Sequence, residues 1–290
     1  MITDTQVHLW ESDRPDRPWP KGPRATAQRP VPLEPPEFLP MMDAAGVDRA
    51  VIVPPIWAGD GNESAIGFSA EHPDRLAVMG RFDLWHPDRS RLSSWREQPG
   101  MLGIRLSYAS DRGDGWFDAD ESAWFWAGAE RHGIPLMLFL KGRMHSDLGR
   151  LSEIAGRHPD LTLIIDHLGL RTPAPAGSAS DSARMEAVFE GFCQVLALAR
   201  HPNVYVKWSS LPFYAVEPYP FPRMAPYLRR ALDAFGPQRT MWGSDITRLR
   251  AGYDQSIGHV RDTLDFLGDG DREWVLGRAA ETALRWPSGP

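Results

Sequence analysis

A chain of 290 residues is long enough for one large domain or two small ones, and 42% hydrophobic with 24% charged residues places it among ordinary globular proteins. A net charge of −6 argues against nucleic acid as the main partner, and no apolar run is long enough to span a bilayer. The single cysteine, Cys193, excludes an internal disulfide and a cysteine-built zinc site. Its helical setting, Gly191-Phe-Cys-Gln-Val-Leu196, reads as core filler. The opening Met1-Ile-Thr-Asp4 has no charged-then-apolar leader, so a cytoplasmic location is expected. Twelve tryptophans suit an apolar pocket with polar edges.

Ile2 to His8 reads as a first strand, with Gln6 and His8 on one face because side chains alternate. Residues 11 to 35 form a long connection rich in Pro and Arg, and loops of that length in compact domains are usually functional. It is expected to cross the site, with arginines 14, 17, 24 and 29 within reach of an anion. Pro35 to Ala45 is a helix with proline at its start and Gly46 at its end. Arg49 to Val53 is a buried strand halted by Pro54-Pro55, and Asn62 to Glu71 is a helix with Asn62 as N-cap.

Leu76 to Phe82 is the third strand, and Asp88 to Glu97 is helical. The alternation continues with strand Gly100 to Leu106, helix Glu121 to His132, strand Ile134 to Leu140 and helix Ser146 to Arg157. Leu161 to Ile165 is the sixth strand, followed by Arg171 to Ser182, a mobile-looking stretch read as a partial lid. A long helix, Asp181 to Arg200, leads to strand Asn203 to Trp208 and helix Pro222 to Phe235. Thr240 to Trp242 is the core of the eighth strand, and helices Tyr253 to Leu267 and Asp271 to Arg285 finish the chain.

Eight continuous apolar strands alternating with helices fit a parallel sheet covered on both faces, closed into a (β/α)8 TIM-type barrel of one domain, residues 1–290. A doubly wound open sheet is the competing architecture. The first strand lacks its Gly-x-Gly-x-x-Gly turn, and no phosphate-binding Gly-Lys-Ser/Thr loop occurs.

Barrel enzymes work at the C-terminal ends of their strands. Polar residues there directly follow apolar runs: Gln6 and His8 with Trp10 beyond; Arg105, Ser107 and Tyr108; Asp166 and His167; Lys207, Ser209 and Ser210; Asp245 with Arg248 beyond. The eighth set, Gly243-Ser244-Asp245, anchors this reading, because an acid after an apolar run costs desolvation unless its charge is used or compensated. Asp245 as an exposed helix cap is the competing reading. His8 as a histidine satisfied by backbone, Arg105 and Lys207 as structural ion pairs, Gln6 as a hydrogen-bonded filler of the barrel floor, and one of Asp166 and His167 as a cap for the loop are the others. His167 is expected to point inward. His72, His132, His158 and His201 read as helix ends.

The motifs Asp4-Thr-Gln-Val-His-Leu-Trp10, Gly103-Ile-Arg105, Ile165-Asp-His-Leu-Gly169, Val206-Lys-Trp-Ser209 and Trp242-Gly-Ser-Asp-Ile-Thr-Arg248 resemble the amidohydrolase-related branch of the amidohydrolase superfamily, along nearly the whole chain. Within it the chain looks most like the lactonases that open sugar lactones or 2-pyrone-4,6-dicarboxylate. The resemblance implies a distorted (β/α)8 barrel and hydrolysis with Asp245 as general base. The superfamily's metal-binding His-x-His is here Gln6-Val7-His8, and a glutamine oxygen is a poor zinc ligand beside imidazole. Lys141 is a weak candidate for a bridging lysine. A metal-free site is therefore favoured; a single zinc or manganese ion, if bound, would be held by His8, His167 and Asp245.

On this reading Asp245, His8 and His167 are catalytic, the histidines polarising the carbonyl. Arg105 holds a substrate carboxylate by a two-pronged bond. Lys207, Ser209, Arg248 and Gln6 contact the substrate, and Trp10, Tyr108 and Trp208 wall its ring. The expected partner is a small anionic molecule, with neither nucleic acid nor membrane, and the oligomeric state stays open. The alternatives are a metal-dependent decarboxylase of the same family and a barrel that binds a small molecule without turnover, which Gln6 keeps alive.

Overall fold

In a computed structural model of the chain, the described residues are 1–16, 18–19, 29, 31–84, 86–107, 122–140, 144–249 and 251–286, with 144–147 described by backbone alone. Eight strands lie in chain order: β1 (Thr3–Val7), β2 (Arg49–Ile52), β3 (Leu76–Gly80), β4 (Met101–Ser107), β5 (Leu136–Phe139), β6 (Leu163–Ile165), β7 (Val204–Ser209) and β8 (Thr240–Gly243). Each of the seven neighbouring pairs is parallel. Between β8 and β1 the closing contact is made differently: the Asp245 N–H donates to the Gln6 carbonyl at 2.7 Å and the Thr5 hydroxyl to the Trp242 carbonyl at 2.6 Å. The result is a nearly closed, distorted (β/α)8 barrel, as the alternation of apolar runs requires.

Two apolar layers follow from strand alternation. Val51, Val53, Ala77, Met79, Met137, Ile164 and Met241 fill the barrel interior, and Ala279, Ala280, Ala283 and Leu284 close its lower end. The opposite faces of the same strands pack with the helices in a larger core that holds Ile52, Val78, Leu136, Val206 and Trp242. Continuous burial along each strand thus serves two separate cores.

The helices are α1 (Pro35–Ala45), α2 (Glu63–Glu71), α3 (Ala123–Arg131), α4 (Met144–Arg157), α5 (Asp181–Val188), α6 (Phe192–Ala197), α7 (Leu211–Tyr214), α8 (Ala225–Phe235), α9 (Tyr253–Gly258), α10 (Asp269–Glu273) and α11 (Ala279–Leu284). Gly46 ends α1 at φ 73°, a left-handed position that glycine takes at no steric cost.

Several expectations are corrected. Asp88 to Glu97 forms two short 3₁₀ turns, Arg89–Leu92 and Trp95–Glu97. The long helix Asp181 to Arg200 is broken at Gly191, whose φ of 81° cannot continue a right-handed helix, and exposed Cys193 lies outside the core. The final two helices each contain a wider π turn, at His259–Thr263 and Trp274–Arg278. Asn62 makes no side-chain cap on α2; its amide instead bonds both backbone groups of Arg81, at 2.9 and 2.7 Å, and fixes the loop above β3.

Candidate active site

His8 follows β1. Its Nδ1 lies 2.6 Å from the Val53 carbonyl, and a carbonyl can only accept, so Nδ1 carries a proton and Nε2 is the nitrogen turned to the site. Nε2 stands 3.2 Å from Asp245 Oδ1 and 3.4 Å from the Gln6 amide nitrogen. Gln6 is held that way round because Lys207, which can only donate, hydrogen-bonds its Oε1.

Asp245 sits just past β8 at φ 56°. Left-handed backbone costs a non-glycine residue roughly 1–2 kcal/mol, least for Asp and Asn. The carboxylate is 1% exposed. Ser210, itself at φ 58°, donates its hydroxyl to Oδ2. Among the described residues no aligned donor reaches Oδ1, since His8 Nε2 approaches it without hydrogen-bond alignment. Burial pushes this carboxyl up, but His8, His167 and Arg248 outweigh burial and hold it well below the ordinary carboxylate range. Arg248 Nε is 3.9 Å from Oδ2.

His167 follows β6 at φ 54° and points inward, packed edge-on against Phe139. Its Nδ1 lies 2.8 Å from the Ser209 hydroxyl, and its backbone N–H donates to the same oxygen at 3.3 Å. Burial lowers its pKa to about 4 against the pull of Asp245 and Asp166, so the ring is neutral at pH 7.

Below these groups lies a buried charge cluster. Arg105 Nε meets Asp166 Oδ2 at 3.2 Å, and Lys207 Nζ meets Asp166 Oδ1 at 3.0 Å. Burial pushes the Asp166 carboxyl up, but Lys207 and Arg105 bring it down to about 2. Arg105 also donates to the Ser107 hydroxyl at 2.6 Å and lies over the Phe139 ring at 4.8 Å. Two cations share one carboxylate here, while Arg248 is matched by Asp245. Across these five side chains, Arg105, Lys207, Arg248, Asp166 and Asp245, one positive charge is left unmatched.

His8, Arg105, His167, Asp245 and Arg248 line a common pocket at the C-terminal ends of the strands, with Phe139, Ser210 and Tyr214. Gln6 and Lys207 are fully buried and form its floor rather than its wall. Ser209 is also fully buried, and its hydroxyl is engaged with His167. Trp208 is a correction: its neighbour Lys207 takes the inward face, so Trp208 points outward into the larger core against Phe266. Trp10 lines a separate cavity of about 240 Å³ with Trp19 and Trp57, bordered by Glu11 and Glu63. Tyr108 and Lys141 lie outside the described residues.

Arg14 pairs with Glu11 and Asp16, and Arg29 with Glu37, so neither reaches the catalytic pocket as expected; Arg17 and Arg24 lie outside the described residues. From the stretch read as a lid, Thr172 lines the pocket. Arg184 donates twice to the Ala174 carbonyl and ties that stretch to α5. Asp166 and Ser210 stood on the rim without an assigned role, and Tyr214 and Phe139 were missed.

Zinc sites take three or four protein ligands. Here His8 Nε2 and Asp245 Oδ1 converge, but the strand-one partner is an amide whose oxygen is bonded to Lys207. Among the described residues no three His, Cys, Asp or Glu side chains stand close enough to hold an ion. These donors do not fit a complete metal site. No helix among them is long and apolar enough to cross a membrane.

The amidohydrolase family model matches residues 3–286. An L-fucono-1,5-lactonase of Burkholderia ambifaria is 28% identical over 282 residues, covering 94% of this chain and 92% of that protein. A crystal structure of a Burkholderia multivorans amidohydrolase with bound HEPES superposes with a TM-score of 0.77 at 24% identity, over 99% of this chain and 100% of that one. A second crystal form of it, with bound zinc, gives 0.76 over the same shares at 24% identity. A 5-carboxyvanillate decarboxylase of Sphingomonas paucimobilis has the same fold, at a TM-score of 0.68 and 15% identity over 98% of each chain. Since the family model covers all but the chain's first two and last four residues, the protein belongs to the amidohydrolase family and is a hydrolase.

Proposed function

We propose that this protein hydrolyses the cyclic ester of a small carboxylated or polyhydroxylated acid, with Asp245 as the general base. One observation carries the reading: among the described residues Asp245 Oδ1 is buried, ionised and without an aligned donor, in the pocket it shares with His8, Arg105 and His167. A water placed there gives Oδ1 a proton as its oxygen attacks the lactone carbonyl. Ser210 holds Oδ2 by its hydroxyl, and His8, pinned by Val53, stands 3.2 Å from Oδ1. Ser209 donating to His167 Nδ1 leaves the Nε2–H of a neutral imidazole to steady the oxyanion. When the tetrahedral intermediate collapses, the ring C–O bond breaks and the leaving alkoxide takes the proton back from Asp245. The product is a hydroxy acid, which ionises.

The unmatched positive charge around Arg105 and Lys207 favours an anionic substrate and receives the carboxylate that ring opening creates. The likeness to an L-fucono-1,5-lactonase supports a sugar-acid lactone. A decarboxylase of this family would call for a metal, and the donors present do not complete a site for one.

The test is a pH-indicator assay of wild type and Asp245→Asn on L-fucono-1,5-lactone and 2-pyrone-4,6-dicarboxylate. General-base catalysis is worth on the order of 10²–10⁴ in rate, and the variant should lose at least that much while staying folded. A loss below about tenfold would mean another group takes the proton.

A further inference from the structure

The first and last strands meet in a way the other pairs do not. The seven other junctions are backbone ladders, whereas this one is organised around a carboxylate. Asp4 is fully buried in β1. Its Oδ1 accepts the N–H of Gln6 at 3.0 Å and of Ser244 at 2.8 Å, and its Oδ2 accepts the Tyr253 hydroxyl at 3.0 Å. The Gln6 carbonyl in turn accepts the N–H of Asp245. One oxygen atom therefore joins the two strands between the residue two before His8 and the residue just before Asp245. The approach is close: a Cβ on Gly243 would lie 2.9 Å from Gln6 Cβ and 3.0 Å from the Gln6 nitrogen, so only glycine fits.

We infer that Asp4 is a positioning residue for the reaction: by bridging β1 and β8 it sets the distance between His8 and Asp245. This rests on the reading of Asp245 as base. The role asks for an acceptor of fixed length, because two amides converge on one oxygen. It does not ask for a charge. Burial in fact pushes the Asp4 carboxyl up to about 6 against the hydrogen bonds it accepts. Without the acceptor, two buried N–H groups must find new partners, and each lies on a strand that ends in a reacting group.

The experiment compares Asp4→Ala, Asp4→Asn, Asp4→Glu and Asp245→Asn with wild type on L-fucono-1,5-lactone, with kcat normalised to folded protein by circular dichroism. A misplacement of about 1 Å costs on the order of 10²-fold, so Asp4→Ala should lose roughly 10- to 100-fold in kcat with KM changed less than about threefold. Asp4→Asn keeps the acceptor and should stay within about threefold of wild type in kcat. Wild-type kcat in folded Asp4→Ala, or an asparagine variant as impaired as alanine, overturns the inference. If Asp4→Ala does not fold, Asp4→Glu decides: its extra methylene must spread the strands, and undiminished kcat there is equally fatal. A crystal structure of the most impaired folded variant adds a readout independent of turnover. The His8 Nε2–Asp245 Oδ1 separation, 3.2 Å in the wild type, should change by more than about 0.5 Å, and an unchanged separation refutes the role. An active Asp245→Asn, by contrast, removes the base assignment itself and leaves the geometric result standing.

Discussion

Replacing Asp166 by Asn tests the buried charge cluster directly. The wild-type carboxylate lies 3.2 Å from Arg105 Nε and 3.0 Å from Lys207 Nζ, with the side chains of all three nearly inaccessible to water. The amide keeps one oxygen and turns an N–H₂ towards the other cation, leaving Arg105 and Lys207 with no anion between them. Gln6 and Ser107 still accept from them, but neither supplies charge. Removing one partner of a buried pair typically costs about 3–5 kcal/mol, because the remaining charge stays desolvated.

The pH dependence gives a second estimate of the same interaction. The Asp166 carboxyl is depressed from 3.8 to about 2, and at about 1.4 kcal/mol per pH unit that is worth roughly 2–3 kcal/mol. A depressed carboxyl stabilises the fold above its unfolded value and loses that contribution as pH falls through its folded value. The gap between wild type and variant should therefore be full at pH 7 and narrow between pH 4 and pH 2. Urea denaturation at pH 7.5, followed by circular dichroism, measures the full gap. With a slope near ~3 kcal/mol/M the midpoint should fall by about 1 M or more. A variant within about 1 kcal/mol of wild type would show that solvent or rearrangement compensates the cations, and would refute the claim of an unmatched positive charge in the pocket.

Three further outcomes are expected. Arg105→Gln removes a charge-assisted contact of about 1.5–3 kcal/mol, so KM for 2-pyrone-4,6-dicarboxylate should rise by ten-fold or more with a smaller change in kcat; an unchanged KM would take Arg105 off the substrate. Trp208→Ala should cost about 3–5 kcal/mol in urea unfolding and leave the KM of the remaining folded enzyme unaltered, since the ring lies outside the barrel interior; a raised KM would return it to the pocket. Asp4→Asn should be more stable than wild type above pH 6 and no more stable at pH 4. The raised Asp4 carboxyl contributes its full stability below 3.8 and loses it as pH rises through about 6, so paired thermal melts at pH 4 and pH 8 check the sign.

The strands were legible because each is an apolar run buried on both faces, and such runs end where polar residues begin. Their C-terminal ends could therefore be named, and Asp245, His8, His167 and Arg105 share one pocket in the structure. Helix interiors read less well. Gly191 inside Asp181 to Arg200 was visible, yet glycine is tolerated in many helices; only its φ of 81° made it a break.

Trp208 shows information that was present and not applied. If Lys207 and Ser209 differ by two positions on one strand, they share a face, and the residue between them must take the other. The exact placement of the site's side chains was harder, because three of them depend on left-handed backbone at non-glycine positions. His167, Ser210 and Asp245 have φ of 54°, 58° and 56°. Each lies at or just past the end of its strand, where the alternation rule stops applying, and nothing local announces that conformation. The turn after β6 brings Asp166 and His167 into the interior together, so choosing between them was the wrong question. The same limit hid the β1–β8 junction: Asp4, Gly243 and Ser244 are far apart in the chain, and only closure of the barrel brings one carboxylate oxygen to both strands.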